Sequence, residues 1–134
     1  MEDRKARLSW LWVFLTVNFL YADILALFDA VYISKSVSGS IQFTQELLLG
    51  VAVLVEVPMA MIILSRYLKY KVNRWTNIIL GIVYTADTLI TQFIVPILGG
   101  TTRNYYLFFG VIEILTTVMI VWYAWKWASP EAKS

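Results

Sequence analysis

Residues 105–127 read YYLFFGVIEILTTVMIVWYAWKW, a long apolar stretch in which Glu113 is the one acidic residue. An α-helix needs about 20 mostly apolar residues to cross a hydrocarbon core of roughly 30 Å. This stretch is long enough, and three others share its character: 8–28, 45–64 and 75–96. The sequence therefore predicts an all-α integral membrane protein, a four-helix up-down bundle that forms a single transmembrane domain over residues 1–134.

The composition agrees with a membrane location. Of the 134 residues 60% are hydrophobic and 15% are charged, with a mean hydropathy of +0.70. Soluble domains average about 45–50% apolar and about 25% charged residues. There is no Cys and no His, which excludes disulfides, thiol catalysis, metal or haem sites built on those ligands, and the Ser-His-Asp triad. No cofactor motif is present, so we expect no cofactor.

Basic residues are distributed unevenly between the two sides of the predicted bundle. The first and third loops contain Lys35 and Arg103. The tails and the second loop contain nine basic residues: Arg4, Lys5, Arg7, Arg66, Lys69, Lys71, Arg74, Lys126 and Lys133. Because cytoplasmic segments carry the excess of Lys and Arg, we expect a cell-membrane protein with both termini in the cytoplasm. The aromatic belt then places the tryptophans at the inner helix ends and Tyr32, Tyr105 and Tyr106 at the outer interface.

Each apolar stretch is interrupted by one acidic residue near the same depth: Asp23, Glu56, Asp87 and Glu113. They lie about 5–11 residues from the predicted outer ends, or roughly 8–17 Å at about 1.5 Å per residue. An acid at the centre of a membrane helix costs about 2.5–3.5 kcal/mol. We therefore expect all four acids to face the bundle interior and to form one ligand- or cation-binding site.

Polar residues within about one helical turn of an acid are further candidates for this site. They are Tyr84, Thr91, Thr116 and Thr117, with Asn18 as a weaker member because its helical angle departs from that of Asp23. Pro58 has no N–H, so the Leu54 carbonyl is expected to be an unoccupied acceptor near Glu56.

Two pairs of short segments indicate an internal duplication. Residues 20–25 (LYADIL) resemble residues 84–89 (YTADTL), and 55–57 (VEV) resemble 112–114 (IEI). Spans one and three run in the same direction, so the pattern predicts two tandem hairpin repeats. In that arrangement Asp23 superposes on Asp87 and Glu56 on Glu113.

Four segments together resemble a family of small four-span prokaryotic membrane proteins that carries a domain-of-unknown-function label. They are Leu20–Leu25, Glu56–Pro58, the N-R-W-x-N motif of 73–77, and W-Y-A-W-K-W at 122–127. The resemblance covers nearly the whole chain and implies no particular activity.

The chain also resembles, more faintly, the emopamil-binding and sigma-2 (EXPERA) group of membrane bundles. The similarity lies in an acid two residues before Pro58, a basic-Trp pair that opens the next helix, and the Tyr84-x-x-Asp87 spacing. It implies an acid-bearing pocket for sterols or amphiphilic amines. The group's histidine falls at Asp87 here, so sterol isomerisation is not implied.

Three functions remain open from the sequence. The acid layer is expected to bind or transport a proton, a metal cation or an amphiphilic amine, and a channel or carrier of this size is expected to need a homo-dimer or larger assembly. A membrane-embedded acid/base enzyme acting on a lipidic substrate is the second possibility. An accessory subunit that stabilises a larger membrane complex is the third. A structural role of the acids alone, as protonated hydrogen-bond partners between helices, also stays open. The expected partners are membrane lipids and a small ligand, and nothing favours nucleic acid.

Overall fold

The apolar stretches fold into helices that are each long enough to cross a membrane. The computed structural model describes residues 2–29, 33–34, 37–39, 44–100 and 102–127. Its helices are α1 Glu2–Ala26, α2 Gln45–Tyr67, α3 Tyr70–Thr88, a π-helical segment Leu89–Ile94, α4 Val95–Gly99 and α5 Asn104–Trp125. No strand occurs among these residues. The predicted all-α membrane fold with four spans is confirmed, while Tyr32, Lys35 and Lys133 lie outside the described residues.

The third span is one continuous run, Tyr70–Gly99, whose middle turns are wider than an α-helix. Pro96 has no N–H to donate to the Gln92 carbonyl, and its ring crowds that carbonyl. The chain responds by changing its hydrogen-bond register, so that the Val95 N–H donates to the Ile90 carbonyl five residues earlier. The span then ends at Gly100, whose φ of 66° is left-handed.

The helices pack unequally around the bundle. α1 packs along both α2 and α5, and α3 packs along α5, whereas α2 and α3 make little contact beyond the turn that joins them at Leu68–Lys69. The α3–α5 contact is close at Gly81, where a Cβ atom would lie 2.5 Å from Val121 Cγ2. The bundle is therefore closed between α1 and α5 and less closed between α2 and α3.

The half of the bundle near the Leu68–Lys69 turn is filled. Its apolar core consists of Leu8, Trp12, Leu15, Met61, Tyr84, Ile120 and Trp127. Beside it, Trp12 Nε1 donates to Asn77 Oδ1 at 2.7 Å, Asn77 Nδ2 donates to Asn73 Oδ1 at 2.6 Å, and Asn73 Nδ2 donates to the Ser65 carbonyl at 2.7 Å. These fully buried groups connect three helices, which is the role of the paired asparagines in the N-R-W-x-N motif.

An arginine side chain stabilises helix contacts at each end of the bundle. Arg103 forms a bidentate ion pair with Asp29, with N–O distances of 2.8 and 2.9 Å, and so joins the segment after α1 to the start of α5. At the other end, Arg74 donates to the carbonyls of Ala124 and Trp125. A guanidinium there satisfies carbonyls at the α5 C-terminus that have no partner within the helix.

The two predicted repeats differ in their surroundings. Glu113 is wholly buried and Glu56 is exposed, although the duplication pairs them. The seam between α1 and α5 is also packed more fully than its counterpart between α2 and α3. Superposition of the two hairpins stays a prediction.

Candidate functional site

A cavity of about 200 Å³ lies in the half of the bundle away from the Leu68–Lys69 turn. Three acids, one from each of three helical spans, line it: Asp23 of α1, Asp87 of α3 and Glu113 of α5. The other lining residues are Phe19, Ala22, Val51, Leu54, Val55, Tyr84, Thr91, Gln92 and Tyr106. None of these is Lys or Arg, so the described wall of the cavity has no cation to offset the carboxylates.

The structure brings together five of the nine residues predicted for the site: Asp23, Asp87, Glu113, Tyr84 and Thr91. It leaves Glu56, Asn18, Thr116 and Thr117 outside the cavity lining. Three of the four predicted acids thus line one cavity, whereas Glu56 of α2 does not. The role of these residues in ligand or cation binding stays a prediction.

Glu56 lies outside because of the stripe that α2 presents to the bundle. Pro58, Met61 and Ser65 are the buried residues of α2 and follow a spacing of three and four. At about 100° per residue, Glu56 stands roughly 160° from Pro58, on the opposite side of the helix. It is exposed there, near the middle of a span that is apolar all round. Because the span is apolar on every side, its sequence did not reveal which face of α2 points into the bundle.

The other three residues use their polar groups within the fold. Asn18 Nδ2 donates to a backbone carbonyl one turn earlier in α1 at 2.8 Å, and Thr116 Oγ1 does the same in α5. Thr117 accepts a 2.7 Å hydrogen bond from Thr85 Oγ1 and so links α5 to α3. The first two contacts lie within single helices, and the third joins two helices.

Glu113 forms a pair with Gln92, a residue that the sequence analysis did not select. Gln92 Nε2 donates to Glu113 Oε2, and the two side chains are 5% and 0% exposed, respectively. The amide oxygen of Gln92, Oε1, and the other carboxyl oxygen of Glu113, Oε1, have no hydrogen-bond partner among the described residues. Thr88 Oγ1, one α-helical turn before Gln92 in sequence, is buried and unpartnered in the same way. Two residues of the cavity wall, Gln92 and Glu113, therefore each have a buried acceptor oxygen to which no described protein group donates.

Two local features of the chain place Gln92 against Glu113. Gln92 belongs to the π-helical segment that Pro96 induces, and π-helical turns occur frequently at functional sites. Gly110 lies one turn before Glu113, and a Cβ atom there would lie 2.8 Å from Gln92 Oε1. An amide side chain within an apolar span, four residues before a proline, was the signal that could have revealed Gln92.

Tyr106 is a second cavity residue that the sequence analysis did not select for the site. The sequence placed it at the outer membrane interface, but its side chain lines the cavity beside the acids. It belongs to the first turn of α5, and its ring is 6.1 Å from that of Tyr105 in an edge-on contact. An aromatic belt position and a cavity position have the same sequence signature at a helix end, so the pattern did not separate them.

The cavity communicates with the surroundings of the bundle. Asp23, Val51 and Thr91 line it and are nevertheless exposed. Since α2 and α3 diverge beyond their turn, the wall is least complete on that side. Phe19, Val51 and Val55 supply apolar surface next to the carboxyl groups, so the cavity combines an acidic end with a hydrocarbon-compatible wall.

The chain belongs to a protein family described as a family of unknown function (DUF6326), whose family model matches residues 1–134. Neither the curated proteins nor the solved structures contain a significant match to the chain. The family match confirms the predicted membership of an uncharacterised family and carries no information on the EXPERA resemblance.

Proposed function

We propose that this family member binds a small positively charged ligand, an organic ammonium in particular, inside the membrane in its carboxylate-lined cavity. The observation that carries the proposal is the convergence of Asp23, Asp87 and Glu113 on one cavity whose described lining has no Lys or Arg. Carboxylates brought together at low dielectric repel strongly, and a cation relieves that repulsion.

The small number of hydrogen bonds to the three acids argues against a purely structural role. Carboxyl groups that only hold helices together are expected to hydrogen-bond to neighbouring helices. No protein group among the described residues donates to the side chain of Asp23 or Asp87, and Glu113 receives one hydrogen bond, from Gln92. Thr91 Oγ1, next to Asp87 in the cavity, donates to a backbone carbonyl instead.

The shape of the site favours a ligand with an apolar body. A volume of about 200 Å³ exceeds the roughly 30 Å³ of one water molecule several-fold. Phe19, Val51 and Val55 offer contact to hydrocarbon, and the incomplete wall between α2 and α3 lets such a ligand enter sideways from the lipid. The opposite half of the bundle is packed around Trp12, Asn73 and Asn77 and gives no continuous path. Binding, and not conduction through a single bundle, is therefore the function proposed.

Equilibrium binding of decylammonium to the protein in nanodiscs of zwitterionic lipid tests the proposal, with empty nanodiscs measuring partition into the bilayer. Decylammonium is expected to bind saturably. Its uncharged analogue, decanol, is expected to bind at least about tenfold more weakly. The reason is that one ion pair at about 5 Å, with an effective dielectric constant of about 20, has a Coulomb energy of about 3 kcal/mol. Asp23→Asn, Asp87→Asn and Glu113→Gln are each expected to weaken decylammonium binding by a similar factor. Glu56→Gln is the matched control and should leave it unchanged. Equal binding of the amine and the alcohol would contradict the proposal.

A further inference from the structure

We infer that the cavity selects a primary or secondary ammonium, whose N–H groups donate to Gln92 Oε1 and Glu113 Oε1. This inference rests on the proposed function and deepens it by naming the class of cation. The acids alone attract any cation, whereas the unpartnered oxygens distinguish cations by whether they carry hydrogen-bond donors.

The two oxygens are acceptors that the described protein does not satisfy. Both belong to side chains that are at least nine-tenths buried and that line the cavity. A buried acceptor without a donor destabilises the unliganded protein, because the acceptor has lost its hydrogen bonds to water. A ligand that supplies donors at this point recovers that free energy on binding.

Neighbouring hydroxyl groups do not supply the donors. The Tyr84 hydroxyl donates to the backbone of α2 at 2.6 Å, and the Thr91 hydroxyl donates to the Asp87 carbonyl at 2.8 Å. Tyr106 makes no hydrogen bond to either oxygen. Gln92 Nε2 already donates its hydrogen bond to Glu113 Oε2. The donors that match this corner of the cavity therefore come from the ligand.

Different cations meet this requirement to different extents. A primary ammonium has three N–H donors and a secondary ammonium has two, so either one satisfies both oxygens and neutralises Glu113. A quaternary ammonium carries the same charge but no N–H, and its methyl groups would cover the two acceptors without bonding to them.

The test is a matched series of decylammonium, N-methyldecylammonium and decyltrimethylammonium, measured on the wild-type protein in the same nanodiscs at a pH where all three are charged. The primary and secondary ammonium ions are expected to bind at least tenfold more tightly than the quaternary ion, a difference of about 1.4 kcal/mol. Equal affinities would overturn this inference and leave the proposed function standing. If none of the three ions binds, the proposed function itself is contradicted. Displacement of decylammonium by millimolar NaCl, but not by choline chloride, would overturn the inference in favour of a sodium site.

A variant at Gln92 tests whether this residue produces the preference for primary over quaternary ammonium. Gln92→Leu removes the amide and is expected to bring the ratio of primary to quaternary affinity close to one, with quaternary binding retained. Gln45→Leu, at the exposed start of α2, is the control and should keep the wild-type ratio. A wild-type ratio in Gln92→Leu would contradict the assignment of Gln92. The ligand series on the wild-type protein decides the question if Gln92→Leu does not fold.

Discussion

The Tyr84 hydroxyl donates a 2.6 Å hydrogen bond to the Leu54 carbonyl, the backbone acceptor that Pro58 leaves without its usual amide partner. The bond crosses from α3 to α2, two helices that otherwise make little contact beyond their turn. The Tyr84 ring packs edge-on against Trp12 in the core, with ring centroids 6.1 Å apart. One side chain thus connects the packed half of the bundle to the backbone of the cavity wall.

Removal of this hydroxyl is expected to loosen α2 at the cavity. Tyr84→Phe should lower the free energy of unfolding by about 1 kcal/mol, the usual net contribution of one hydrogen bond. Pro58→Ala restores an N–H that can donate to the Leu54 carbonyl, so Tyr84→Phe should have a different effect in that background. Denaturant unfolding of the wild type, both single variants and the double variant measures the coupling. Strict additivity of the two changes would contradict the relationship.

The sequence predicted the acceptor of this bond but not its donor: the Leu54 carbonyl was expected to be unoccupied, and Tyr84 occupies it. A proline inside a helix leaves the carbonyl four residues earlier without a donor whatever the tertiary structure, so the free Leu54 acceptor was predictable. The convergence of Asp23, Asp87 and Glu113 was predictable for a related reason, namely that lipid exposure of an acid is costly. Glu56 does not follow that rule, because the inward face of α2 is set by packing against α1, and its sequence is apolar on all sides.

Gln92 was missed for a different physical reason. Its position depends on a change from α- to π-helical register, and that change rotates every later residue relative to an ideal helix. Angles counted from a regular period of about 3.6 residues therefore fail beyond Leu89. The burial of Gln92 also depends on Gly110, which belongs to another helix. The sequence pattern of the third span therefore could not indicate it.

Two glycines within helices offer a matched test of the space around Gln92. A Cβ atom at Gly110 would lie 2.7 Å from the Phe93 ring and 2.8 Å from Gln92 Oε1, whereas a Cβ at Gly50 meets nothing within 4 Å. Gly110→Ala is expected to displace Gln92, to lower stability by about 1–3 kcal/mol as overpacking does, and to weaken decylammonium binding. Gly50→Ala should raise stability by up to about 1 kcal/mol through helix propensity and leave binding unchanged. Thermal unfolding and nanodisc binding measure both, and equal behaviour of the two variants would contradict the packing at Gly110.

The exposed acid on α2 leads to a prediction about stability. Glu56 is eleven residues from each end of α2, or about 16 Å at about 1.5 Å per residue, too far for its short side chain to reach either interface. An acid at a helix centre costs about 2.5–3.5 kcal/mol, whereas Leu is favourable there. Glu56→Leu is therefore expected to raise the thermal unfolding midpoint without changing decylammonium affinity. A lower midpoint, accompanied by a smaller assembly in size-exclusion chromatography with light scattering, would show that Glu56 faces another copy of the chain and not lipid.

The direction of the bundle in the membrane is predicted from the distribution of Lys and Arg, nine on the side of the tails and the second loop against two on the other side. Because the chain has no cysteine, single cysteines introduced at Ser38, Asn104 and Lys71 report accessibility without background. In intact cells a membrane-impermeant maleimide is expected to label Ser38→Cys and Asn104→Cys, which lie on the same side as the ion pair between Asp29 and Arg103. It should label Lys71→Cys only after the membrane is permeabilised, since residue 71 lies at the start of α3, beside the Leu68–Lys69 turn. Labelling in the reverse order would place the cavity in the cytoplasmic half of the bilayer and would contradict the predicted topology.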